Sequence, residues 1–112
     1  MKIINIKDIQ IADTPHKVAI KKLYNFEHGT FVHIELKPGE ALKKHITPVD
    51  VTFYVLEGEG VVEIGKEREA IKKDQLIFSP AKILHRLLNE FEQTFRFLVI
   101  KTPTPTSETK IL

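Results

Sequence analysis

The chain has 112 residues, with 17 lysines and arginines, 15 aspartates and glutamates, five histidines and no cysteine. That length suits one domain with a sizeable core, and 42% hydrophobic with 29% charged residues is the balance of a folded soluble protein. A formal net charge of +2 spread along the chain argues against a nucleic-acid partner, and the missing cysteines exclude disulfides and thiolate chemistry.

In chain order, residues 2–6 and Ile9-Gln10-Ile11 are expected to form short strands before a break at Thr14-Pro15. The segment from Val18 to Phe26 is expected to be a strand, because a Glu27-His28-Gly29-Thr30 turn and a clear strand follow it. From Phe31 to Leu36 the pattern alternates, with Val32, Ile34 and Leu36 on the face predicted to be interior. His33 and Glu35 then form an outward pair. Pro38-Gly39 and Gly58-Glu59-Gly60 are turn signals that enclose His45 and the apolar run from Val51 to Leu56. That run is short and rich in β-branched and aromatic residues, as expected of a strand covered on both faces.

Further short strands follow at 61–64, 68–71, 75–78, 83–88 and 94–100, punctuated by glycine, proline, aspartate and asparagine. Residues 1–101 make one domain, and the Thr- and Pro-rich segment 102–112 is expected to be a flexible tail. Many short strands at regular spacing predict an all-β sandwich or barrel. No run approaches a membrane span, and the N-terminal residues lack a signal-peptide core, so no membrane partner and a cytoplasmic location are expected.

The stretch from Gly39 to Gly60 resembles the first signature of the cupin family: Gly, five residues, His, one residue, His, three or four residues, Glu, six residues, Gly. Gly39, His45 and Gly58 fall in register, and Phe53 to Gly60 is similar to the strand and turn that close that signature. Thr47 stands at the second histidine position, and Val51, beside Asp50, stands at the glutamate position. The family's second signature is echoed at Asp74, Pro80, Lys82, His85 and Asn89, with Asp74 and Lys82 in place of its two glycines. The resemblance implies an antiparallel double-stranded β-helix, the jelly-roll barrel, curled around one pocket.

Cupins take a metal from the first signature's two histidines and glutamate and the second signature's histidine. Carried over by position, His45 and His85 are the metal candidates, and Asp50 could join them only through a β-bulge. The ligand-pocket candidates are His45, Thr47, Val51, Phe53, Val55, His85 and Leu87. Three functions stay open: a module binding a small apolar molecule, a metal-dependent isomerase or dioxygenase using His45 and His85, and a structural or partner-binding dimer. The cofactor is accordingly either none or a divalent transition metal (Mn, Fe, Ni or Zn), and no catalytic residue is assigned.

Among the other polar groups, His16 and His28 are expected in solvated turns, Tyr54 outside the barrel, and Asn89 as a cap on the turn to Thr94. Arg96 is either an anchor for an anionic ligand or an outward charge. Because the runs 51–56 and 94–100 are apolar on both faces, a homodimer burying Tyr54 and Leu56 is expected.

Overall fold

A computed structural model describes residues 1–111. The chain folds as two five-stranded antiparallel sheets built from β1 (Ala19–Phe26), β2 (Gly29–Leu36), β3 (His45–Ile46), β4 (Asp50–Glu57), β5 (Glu59–Ile64), β6 (Glu67–Lys72), β7 (Leu76–Ser79), β8 (Leu84–Leu88), β9 (Phe95–Thr102) and β10 (Lys110–Ile111). The first sheet has the order β1-β2-β9-β4-β7, and the second β10-β3-β8-β5-β6. This is the expected all-β double-stranded β-helix. Among the described residues no helix is long and apolar enough to cross a membrane.

Alternation on β4 and β9 sets the interior. Val51, Phe53 and Val55 are buried on β4, as are Phe95, Phe97 and Val99 on β9, while the residues between them are only half-buried. The register pairs Phe53 with Val99, Val55 with Phe97, and Ile34 with Phe97, so the inward sets of three strands meet on one face. The Phe95 and Phe97 rings pack 4.9 Å apart, and Phe53 meets Phe97 edge-on at 6.2 Å. Burying each such ring contributes about 1.5–3 kcal/mol, which makes this aromatic cluster the main apolar anchor of the barrel.

Three turns explain the signature positions. Gly58 has φ +78, and a Cβ there would lie 2.1 Å from the Thr94 carbonyl oxygen. At Gly60 a Cβ would meet the Phe95 ring at 2.1 Å, so the β4–β5 turn can cross the phenylalanine only because this residue has no side chain. Asp74 (φ 70) and Lys82 (φ 66) adopt the left-handed conformation that glycine supplies in the second signature. Backbone bonds hold both turns: Asp74 N–H donates to the Val55 carbonyl at 2.9 Å, and Lys82 N–H to the Thr47 carbonyl at 2.9 Å. The conformation is thus kept and the glycine is not, at a cost of about 1–2 kcal/mol per position.

Both chain ends depart from the sequence-based expectation. Residues 2–6 and 9–11 form no strands; a 3-10 turn at Ile6–Asp8 lies there, tied to β1 by Lys21 Nζ donating to the Ile6 carbonyl at 3.0 Å. β1 is the edge of its sheet, but among the described residues a single backbone bond reaches it from beside this segment, Ala12 N–H to the Ile20 carbonyl at 2.7 Å, so no ladder forms. Nor is the segment from 102 onward a free tail. β9 runs through Thr102, and Lys110–Ile111 add to the edge of β3, with Ile111 opposite His45. The exposed edge of β3 offers unpaired backbone groups, and strand addition satisfies them whatever the composition of the added segment. Leu112 lies outside the described residues.

Gly60→Ala should lower stability by at least about 2 kcal/mol through overpacking against Phe95. Lys82→Gly should leave it unchanged or raise it by up to about 1 kcal/mol. Urea unfolding midpoints of the two variants check both, and equal losses would show that the turns do not work as described.

Candidate functional site

The chain brings three histidine rings into a row. His45 on β3 sits directly opposite His85 on β8, with the rings edge-on at 4.5 Å. His16, from the loop before β1, meets the other side of His45 at 5.0 Å, again edge-on. The Lys43 peptide orients two of the three. Its carbonyl accepts from His45 Nδ1 at 2.7 Å, and its N–H donates to His16 Nδ1 at 2.9 Å. A carbonyl can only accept, so neutral His45 carries its proton on Nδ1 and presents a lone pair at Nε2; His16 is the reverse, with an N–H at Nε2.

His85 is closed off. Its Nδ1 meets Ser79 Oγ at 2.7 Å and its Nε2 meets Thr47 Oγ1 at 3.3 Å, and all three residues are buried. Burial lowers the pKa of His85 and of His16 to about 4, with neighbouring His45, Lys43 and Lys101 acting in the same direction where each is close. Burial likewise lowers the pKa of His45. The row is therefore neutral near pH 7.

One open space lies beside this row, at the barrel mouth; a larger one of about 650 Å³ is lined by β5, β6 and β7, away from the histidines. A cavity of about 530 Å³ has an apolar wall of Ile20, Val32, Ile34, Leu42, Phe53 and Val99. Its polar side consists of His16, His45, Lys22 and Lys101, and the segment from Pro105 to Ile111 borders it. All seven predicted pocket residues (His45, Thr47, Val51, Phe53, Val55, His85 and Leu87) are buried in the barrel. Only His45 and Phe53 line the cavity. The others are covered because Phe95 and Phe97 fill the closed end and His85 packs edge-on against Phe53 at 5.4 Å. The pocket is shallower and nearer the tail than the sequence suggested.

The metal ligand set does not fit. Both nitrogens of His85 are engaged by hydroxyl groups, Val51 cannot ligate, and Lys101 stands opposite Val51 across the β4–β9 ladder, bringing a positive charge beside the lost glutamate position. Asp50 is exposed, and its carboxylate accepts from the Ala81 N–H at 2.9 Å, capping the turn after β7; no bulge turns it inward. Among the described residues no group of three or more His, Cys, Asp or Glu side chains is disposed to hold a metal ion.

Three polar residues of the cavity, His16, Lys22 and Lys101, were missed from sequence. His16 had no periodic signal, since only the fold of the 14–17 turn brings it to His45. Lys101 did have one: it continues the inward series Phe95, Phe97, Val99 at period two. Of the remaining groups, Tyr54 lies outside, donating to Asp74 Oδ1 at 3.1 Å. His28 is exposed beside Glu27. Asn89 caps its turn: Nδ2 donates to the carbonyls of Leu36 and Gln93, and Oδ1 accepts from Phe91 N–H.

His33 is on the outer face as expected but is 3% exposed, and its partner is Arg96 in place of Glu35. Arg96 Nε–H donates to His33 Nε2 at 3.1 Å and its guanidinium pairs with Glu57 at 3.0 Å, so Arg96 is an outward charge. Neutral His33 then carries its proton on Nδ1, which is buried without a partner among the described residues. Burial, with Arg96 and Lys21 nearby, lowers its pKa to about 4.

Comparison with known proteins places this architecture. The model of the family described as "Cupin domain" matches residues 32–101. A crystal structure from Thermus thermophilus is 31% identical, with a TM-score of 0.80 over 94% of this chain and 100% of that one. A RmlC-like cupin family protein with a double-stranded beta-helix fold from Methanocaldococcus jannaschii superimposes with a TM-score of 0.78 over 94% of this chain and 93% of that one, at 23% identity. The tetracenomycin polyketide synthase protein TcmJ of Streptomyces glaucescens is 36% identical over 62 residues, which are 54% of this chain and 42% of TcmJ.

The depressed His33 pKa sets a pH dependence. A histidine that titrates at about 4 when folded and near 6.5 when unfolded gives stability that is fully present above pH 6.5 and lost as pH falls to 4. His16 and His85 act in the same window and direction. His33→Gln should keep the Arg96 contact through its amide oxygen and fall less steeply in thermal midpoint between pH 6.5 and 4. An unchanged slope would mean that His33 titrates normally in the folded protein.

Proposed function

The chain belongs to the cupin family, matched over residues 32–101, and from that premise we propose that it binds a small, largely apolar molecule at the barrel mouth, with His45 at the molecule's polar end. The observation that carries this reading is the cavity of about 530 Å³, which is within the range of small-molecule sites and has six apolar side chains on one side and a few polar groups on the other. His45 suits the polar end because its Nδ1 is held by the Lys43 carbonyl, fixing the ring and leaving Nε2 to accept a hydrogen bond. The likeness to a polyketide synthase protein agrees with an apolar organic ligand. The metal-dependent isomerase or dioxygenase reading is disfavoured by the engaged nitrogens of His85 and the Lys101 charge.

The outer face supports a homodimer as part of the same proposal. Leu76 and Phe78 on β7 are 66% and 57% exposed, and they stand in cross-strand rows with Tyr54 and Leu98, and with Thr52 and Ile100. Exposure of that size on a continuous apolar stripe favours a covering partner, and a second copy is the one the sequence anticipates. The expected contact therefore includes Leu76 and Phe78 beside Tyr54.

Binding is tested by amide-proton NMR titration with indole. Shifts should cluster at His45, Phe53, Val99 and Lys101, and Val32→Trp, which fills the cavity, should abolish them. Shifts confined to Leu76, Phe78 and their neighbours would move the site to the outer face and contradict the proposal.

A further inference from the structure

Resting on the binding reading above, we propose that the ligand carries a single carboxylate, seated against the Lys101 ammonium, with its apolar body against Phe53, Val32 and Val99. Lys101 lies on the inward face of β9, between Thr30 of β2 and Val51 of β4, half-buried and on the cavity wall. Among the described residues it has no carboxylate within ion-pair distance. An apolar side chain at this point would complete the aliphatic wall without the desolvation cost, so the cation calls for a counter-charge. Burial, with the charge of Lys22, lowers the Lys101 pKa from its ordinary value of 10.5. A carboxylate arriving from solvent would supply the missing partner and reverse that shift.

The neighbouring groups agree with an anion. Lys22 lines the same cavity from β1, and His16 offers a neutral N–H at Nε2 because its Nδ1 is taken by Lys43. Glu108 on the segment after β9 is the one carboxylate on the cavity wall; it is exposed and makes no ion pair with either lysine among the described residues. The apolar wall and the single half-buried cation favour a monocarboxylate over a phosphate, whose greater charge needs more donors than this wall provides.

Isothermal titration calorimetry with cinnamate and cinnamamide, which share size and shape, separates charge from apolar fit. The wild type should bind cinnamate at least about tenfold tighter than the amide, as expected for a partly desolvated ion pair. Lys101→Met should erase the difference by weakening cinnamate alone, Lys101→Arg should retain it, and inorganic phosphate should not displace cinnamate. Equal affinity of the wild type for acid and amide overturns the carboxylate inference and leaves the apolar binding reading standing. Preference for cinnamate surviving in Lys101→Met overturns the role of Lys101, and displacement of cinnamate by inorganic phosphate overturns the choice of a monocarboxylate. Binding of neither compound removes both readings.

Discussion

The strict two-residue alternation of β9 is the constraint on which the rest of this structure depends. Phe95 and Phe97 point into the barrel and fill its closed end, Val99 continues the wall, and Lys101 arrives on the same face where the wall opens. Because β9 pairs with both β2 and β4, each inward side chain is fixed by two neighbours, and a slip of one residue would expose the whole aromatic set. The cavity is a consequence of this order. It begins where the rings end, and its one half-buried cation is the last inward residue of the series before the strand leaves the sheet.

That arrangement separates two roles which the signatures combine. Gly58, Gly60, Asp74, Lys82 and Asn89 shape turns: two forbid a side chain, two adopt left-handed backbone, and one saturates its amide on three backbone groups. These demands belong to the barrel and persist whatever the barrel holds. The positions that the resemblance assigns to metal ligands form here a hydrophobic and hydroxyl-lined interior. Thr47 and Ser79 engage the two nitrogens of His85, so a buried polar ring is satisfied by neutral partners. Lys101, opposite Val51, adds a positive charge where the resemblance implies a negative ligand.

Much of this was legible from sequence wherever period-two alternation met turn signals. The strands at 18–26, 31–36, 51–56, 61–64, 68–71, 75–78, 83–88 and 94–100 correspond to β1, β2 and β4 to β9, with ends shifted by a residue or two. The inward direction of Val51, Phe53, Val55, His85 and Leu87 was implied by the resemblance to the cupin signatures, and all five are buried. What alternation cannot supply is depth: it distinguishes inside from outside but not filled interior from open cavity, which depends on the bulk of Phe95 and Phe97 packed against Phe53 and His85. The two chain ends were misread because their contacts are set by other elements. His16 is placed by the Lys43 peptide 27 residues away, and β10 by the unpaired edge of β3. His33 was misjudged because the cover over an outer face is invisible in the strand's own pattern.

The central reading is that hydroxyl groups complete the barrel interior around His85, from which we propose that His45 and His85 form no metal centre. Elemental analysis of protein purified without a histidine tag, together with competition by a mild chelator, tests it most directly. The expected result is well under one transition metal per chain. Near-stoichiometric Mn, Fe, Ni or Zn that resists the chelator and is lost in His85→Ala would contradict it.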